Sequence, residues 1–236
     1  MVPASQPASG SEPLFGDQAS ILHAKLARAS KQRIMRGMHV SAPLADKVMA
    51  DIAAWQQSGH TPALFGFQGD IYQGLQASTF TDEDIQYANE RLRILSGLYG
   101  ILRPLDMICP YRLEIGYGFP VNLYKFWGDD LAKTVTASTV YNLASAEYAK
   151  AVVPYLAVGT KVIEPLFLVQ YPGEQPKFAA YHAKIARGAY AAWLVKQKAT
   201  YATKPEAFAE MGYAYSAEYS KPNAPAFILQ TTKKRP

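Results

Sequence analysis

The chain has 236 residues, 49% apolar and 18% charged, which excludes a disordered polyelectrolyte and is enough for one sizeable core. Its formal net charge of +5 and pI of about 9.1 are a modest basic excess. One cysteine, Cys109, excludes an intrachain disulfide framework; no apolar run approaches the roughly 18 residues of a spanning helix, and the small, polar start has no signal-peptide core, so a cytoplasmic location is expected.

Residues 1–16, rich in Ser, Pro, Ala and Gly, read as a disordered leader ahead of a single domain over 17–236. Gln18 to Met38 has helical spacing, with Ile21, Leu22, Leu26, Ile34 and Met35 on its apolar side. Ala42 to Gln57 reads as a second helix, with Pro43 in its first turn and Gly59 as its stop. Ala63 to Phe67 reads as a strand that enters the glycine-rich segment Gly66–Gly74. Thr81 caps a helix whose first turn holds Asp82, Glu83 and Asp84, suited to the positive end of the helix dipole. Strands are expected at Thr139–Leu143, Lys161–Val169, Phe178–His182 and Ala226–Thr231, with helices starting near Ser145, Ala183 and Pro205. Alternating strands and helices indicate a mixed α/β or α+β fold around a central sheet.

The charge is unevenly distributed. No acid lies between Asp17 and Asp46, where Lys25, Arg28, Lys31, Arg33 and Arg36 fall, and none between Glu174 and Glu206, where Lys177, Lys184, Arg187, Lys196, Lys198 and Lys204 fall. The chain ends Lys233-Lys234-Arg235. Segregated cations build a field that attracts polyanions; the same pattern also suits solvated helix faces.

Leu95 to Leu102 resembles a helix-hairpin-helix turn, in which Gly97 and Gly100 let backbone amides approach phosphates, and reads equally as a buried αα-turn with glycine at the helix C-cap. Lys184 and Arg187 stand three apart, early in a helix that follows a strand, and suit an anion site. Asn142, at the end of a strand, is placed to line a pocket, and Ser145 caps the helix that follows. Two readings stand for Arg103, Arg112 and Glu114: an internal ion-pair network, or arginines that face a cleft and hold phosphate. Asp70, beside Gly69, is a turn residue or a general base. The four histidines are scattered without metal-ligand spacing, and no P-loop, GxSxG elbow or dinucleotide fingerprint is present. Neither metal nor cofactor is expected.

Several motifs recur in order: Phe67–Leu75, Leu95–Asp106, Pro110–Glu114, Tyr124–Asp129 and Asn142–Tyr148. On these, and on Ala183–Gly188, the chain from about Phe65 to its end resembles the YaaA family of bacterial peroxide stress proteins. The resemblance implies a compact α/β fold with a helix-hairpin-helix element and a basic cleft. It also implies a part in limiting free iron and DNA damage under hydrogen peroxide, and binding of duplex and distorted DNA. Carried onto this chain, the hairpin is Gly97–Gly100, and the cleft cations are Arg103, Arg112, Lys125, Lys184 and Arg187. Family members open with an apolar strand and Ser-Pro-Ala-Lys, which this chain lacks, so it is expected to be a truncated or diverged member. The leading expectation is a non-enzymatic DNA-binding protein; the alternative is an enzyme for a nucleotide or phosphorylated substrate, with Asp70 or Glu114 as acid or base.

Overall fold

A computed structural model describes residues 10–55, 57, 60–200 and 203–232. The expected leader over residues 1–9, the stop at Gly59 and the basic tail Lys233–Arg235 lie outside the described residues. The chain divides into two compact units: residues 10–67, 89–135 and 145–157 form the first, and residues 68–88, 136–144 and 158–232 the second.

In the first unit, the helix expected over Gln18–Met38 is two, Gly16–Ala27 and Lys31–Met38. Ser30 divides them. Its backbone is extended, and its hydroxyl accepts from the Arg33 amide at 3.4 Å, which starts the second helix. Ala42–Ala53 follows, with Pro43 in the first turn as expected. These helices bury Leu22, Leu26, Ile34, Met38 and Val48. The expected strand at Ala63–Phe67 is instead a short strand, Thr61–Pro62, antiparallel to Met107–Ile108, and then a helical turn, Ala63–Gly66. Pro62 caps that turn, and the Ala63 and Leu64 amides donate to the carbonyls of Asp106 and Pro104 at 2.9 Å. Residues 10–16 are not a free leader either. The Ser11 amide donates to Leu105 O at 3.0 Å, Ser11 O accepts from the Met107 amide at 2.8 Å, and buried Phe15 meets the Trp127 ring at 5.5 Å.

No helix-hairpin-helix forms at Leu95–Leu102. Ile94–Ser96 and Gly100–Leu102 are antiparallel strands joined by a tight turn. Ser96 Oγ accepts from the Tyr99 amide at 2.8 Å, and Gly100 closes the turn with a φ of 73°, open to glycine at no steric cost. A short apolar run around glycines fits a hairpin of strands as well as one of helices, and burial on both faces favours strands here.

The second unit is built on a mixed sheet of four strands, ordered Lys177–Phe178, Leu166–Gln170, Ala224–Gln230 and Tyr213–Lys221. The central pair is parallel and the outer pairs antiparallel. The run Lys161–Val169 is broken at Pro165, which has no amide for a ladder. Its first part, Lys161–Ile163, pairs in parallel with Thr139–Tyr141. The strand expected at Phe178–His182 stops at Phe178, and the long helix Ala180–Lys196 takes its remainder. Pro205 starts only a 3-10 turn, Pro205–Ala207. Phe167, Phe227 and Tyr213 from the sheet pack with Tyr190 and Trp193 of the long helix and with Phe208. Each such ring, once buried, contributes about 1.5–3 kcal/mol.

A short helix, Asp70–Leu75, crosses the long helix in backbone contact. A Cβ at Gly188 would sit 1.8 Å from Ile71 O, and one at Gly74 would sit 1.9 Å from Ile185 O. Both positions therefore need glycine.

Candidate nucleic-acid interface

The hairpin does not present its glycines to a ligand. Gly97 and Gly100 are buried. A Cβ at Gly97 would meet Leu113 O at 2.2 Å, and one at Gly100 would meet Leu131 at 2.7 Å and Trp127 at 3.0 Å. The Gly97 carbonyl also accepts from Trp127 Nε1 at 3.3 Å. These glycines pack against the interior of the first unit.

Arg103 is likewise engaged within the first unit. Its Nε and a terminal nitrogen reach Asp106 Oδ1 at 3.1 and 3.0 Å, and its amide donates to Oδ2 at 2.8 Å. Ser11 Oγ donates to the same Oδ1 at 2.6 Å. Asp106, 1% exposed, thus has its charge satisfied by a guanidinium, a hydroxyl and an amide. Arg103 pairs with Asp106 and not with Glu114. Glu114 Oε2 accepts from Tyr148 at 2.7 Å. Burial, reinforced by Tyr111 and Glu114, pushes the Tyr148 phenol far above its ordinary range, so it stays a donor. Tyr111 shares a 2.6 Å hydrogen bond with buried Ser96.

Arg112 and Lys125 remain exposed. Asn122 accepts from the Lys125 amide at 3.0 Å and caps the helix Leu123–Trp127, leaving the lysine side chain in solvent. Ser145 occupies the N-cap position of the short helix Ala146–Ala149, but its hydroxyl makes no capping bond. Lys25, Arg28, Arg33 and Arg36, not chosen as site residues from the sequence, are also exposed. Their signal was the acid-free stretch after Asp17. Lys25 and Arg28 are one helical step apart, as are Arg33 and Arg36. Among the described residues, no carboxylate lies within ion-pair distance of these six cations.

In the second unit, the glycine crossing sets Asp70 beside Lys184, with a 3.5 Å ion pair. Arg187, half-buried on the same helix, has its pKa lowered by burial, an effect opposed by Glu164. Asn142 Nδ2 donates to Glu164 Oε1 at 2.6 Å, and Asn142 Oδ1 accepts from the Ala144 amide at 3.2 Å. Arg187 and Asn142 therefore share a polar neighbourhood with Glu164, while Lys184, one helical step before Arg187, pairs with Asp70.

A recess of about 10 Å³, lined by residues including His23, Trp55, Tyr111 and Arg112, has room for about one water. A second, of about 380 Å³, is lined by Gly212, Ala214, Tyr215, Ser216, Ile228 and Gln230, none charged. Neither is lined by Asp70 or Glu114, the carboxylates considered for acid–base work. Among the described residues, no three His, Cys, Asp or Glu side chains gather as metal ligands would, and no helix is long and apolar enough to cross a membrane.

Comparison with known proteins adds a family model described as peroxide stress protein YaaA, which matches residues 2–219. The likeness thus includes the N-terminal region, where the motifs alone began near Phe65. A UPF0246 protein of Salinispora tropica is 42% identical over 226 residues, covering 92% of this chain and 86% of that protein. One from Ruegeria sp. is 41% identical over 227 residues, covering 92% and 90%. One from Burkholderia lata is 38% identical over 230 residues, covering 90% and 87%.

Proposed function

Since this chain belongs to the YaaA family of peroxide stress proteins, we propose that it serves the peroxide response in the cytoplasm as a DNA-binding protein without enzymatic chemistry. By occupying DNA it limits oxidative damage there; limiting free iron is the part that family resemblance alone suggests. One observation carries the DNA reading: Lys25, Arg28, Arg33, Arg36, Arg112 and Lys125 of the first unit stand exposed with no carboxylate partner among the described residues. An unpaired exposed cation gives up only water and counterions when it meets a phosphate, whereas one already paired must first leave its acid. Cations of this kind read the sugar–phosphate backbone and carry little sequence information.

The test is a salt series against duplex DNA. The logarithm of affinity should fall linearly with the logarithm of salt, by about 0.9 for each phosphate neutralised. A variant carrying Lys25→Ala, Arg28→Ala, Arg33→Ala and Arg36→Ala should bind more weakly, with a slope flatter by up to about 0.9 for each phosphate it no longer neutralises. Affinity that is constant from low to high salt would defeat the proposal.

A further inference from the structure

The mixed sheet of the second unit has two unlike edges. At one, Lys177–Phe178 contributes two residues, and Pro176 before them has no amide to offer. Shortness, proline and lysine are devices that keep a sheet edge from pairing with another chain. At the other edge lies Tyr213–Lys221, nine residues long. Its first five, Tyr213-Ala214-Tyr215-Ser216-Ala217, hold neither charge nor proline. Tyr213 to Ser216 keep regular register with Leu229 to Ala226, and among the described residues no strand lies on their other side.

The edge is guarded only past Ser216. There the register jumps to Lys221 opposite Ala224, and Ser220 Oγ bridges the bulge, donating to Ser216 O at 2.7 Å and accepting from the Ala226 amide at 2.9 Å. A bulge twists an edge away from a partner. Before it, Ala214 and Tyr215 are exposed, and the uncharged recess of about 380 Å³ opens on the same stretch. Such an edge is completed by an added strand, which takes up its free amides and carbonyls.

The residues along it suit a second copy of this chain. A two-fold axis perpendicular to the sheet sets Tyr215 opposite Tyr215 of the second copy, Ala214 opposite its Ser216, and Tyr213 opposite its Ala217. Ring then meets ring, small meets small, and no like charges face each other. The nearest charge, Glu218, lies beyond this seam. Because the axis uses both open edges and leaves only the two guarded ones, growth stops at two copies.

We propose that the chain dimerises by antiparallel pairing of its Tyr213–Ala217 edge with the same edge of a second copy, which joins two four-stranded sheets into one. The seam is short, about 17 Å for five residues, and falls below the roughly 1,600 Å² of a standard interface, so the dimer forms at high protein concentration. This inference is independent of the DNA reading.

Sedimentation equilibrium of the full chain, from micromolar to millimolar protein, tests it. The wild-type mass should rise from that of one chain, 26.0 kDa, toward twice that value. Tyr215→Lys and Tyr215→Glu each set two like charges face to face, and each should stay at the single-chain mass. An equimolar mixture of the two should recover the dimer, which misfolded variants could not do. Ala214→Lys, at an exposed position diagonal to its own copy across the axis, should also stay single. A wild-type mass that stays at one chain throughout would overturn the dimer and leave the edge to a strand of another protein. A mass that climbs past two chains, or an Ala214→Lys variant that dimerises as wild type does, would overturn this pairing too.

Discussion

Lys177, Lys184 and Lys198 of the second unit each meet a carboxylate, Glu174, Asp70 and Asp84 respectively. In the first unit Lys25, Arg28, Arg33, Arg36, Arg112 and Lys125 meet none among the described residues. The balance of charge differs in the same sense. The first unit has thirteen Lys and Arg against ten Asp and Glu, and the described part of the second has eight against nine. Lys31, Arg103 and Lys133 of the first unit are paired too, so each unit ties up three cations, and among the described residues the first unit keeps the larger number without a carboxylate. What matters to a polyanion is which cations folding leaves without a partner.

The largest test of this contrast addresses how the second unit places its pairs. Gly188→Val forces two methyl groups into the Ile71 carbonyl and should destabilise the unit by about 3 kcal/mol or more. Urea unfolding would show it as a lower midpoint. A midpoint equal to wild type would mean that the helix crossing does not hold Asp70 against Lys184.

A smaller effect concerns acid. The Lys198 hydrogen bond, then the Thr81 amide, hold the Asp84 carboxyl down at about 2, from an ordinary 3.8. A carboxyl depressed in the folded state stabilises it fully above its unfolded value and loses that contribution as pH falls through the folded one. Stability supplied by Asp84 should thus persist above pH 3.8 and fade as the pH drops toward about 2. Asp84→Asn should be less stable at neutral pH and show a shallower decline across that window. Parallel pH profiles for the two proteins would sever the Lys198 pair from stability.

The smallest expected change is the most direct measure of the contrast. Arg103→Ala combined with Lys184→Ala removes two cations already held by carboxylates, and should weaken duplex binding by less than about threefold. A reduction as large as that of the four-residue helix variant would erase the distinction between paired and unpaired cations.

Local signals in the sequence proved the most legible. Thr81 and the acids after it specified a cap that the structure builds reciprocally: the Thr81 amide donates to Asp84 at 3.0 Å, and the Asp84 amide donates to Thr81 Oγ1 at 3.2 Å. The strand expected at Ala226–Thr231 is present as Ala224–Gln230, and the helix expected to start near Ala183 as Ala180–Lys196. The hairpin was misread because glycine turns join strands as readily as helices, and only burial on both faces decides between them. The strand Tyr213–Lys221 went unseen, since its burial does not alternate: Tyr213 is buried, but Ala214, Tyr215, Ala217 and Glu218 are all exposed. Of the site, the cations were visible but their partners were not. Asp70 meets Lys184 only because two helices cross at glycines far apart in the chain, and no local pattern encodes that.

The crossing has a bearing on how this protein tolerates change over generations. Neither Gly74 nor Gly188 opposes a side chain; each faces the main chain of the other helix. A bulky neighbour can be trimmed by a compensating mutation, but a carbonyl group cannot. A screen for second-site suppressors at either position should therefore recover little except the original codon, and the two glycines are inherited as fixed points around which the rest of the unit is free to drift.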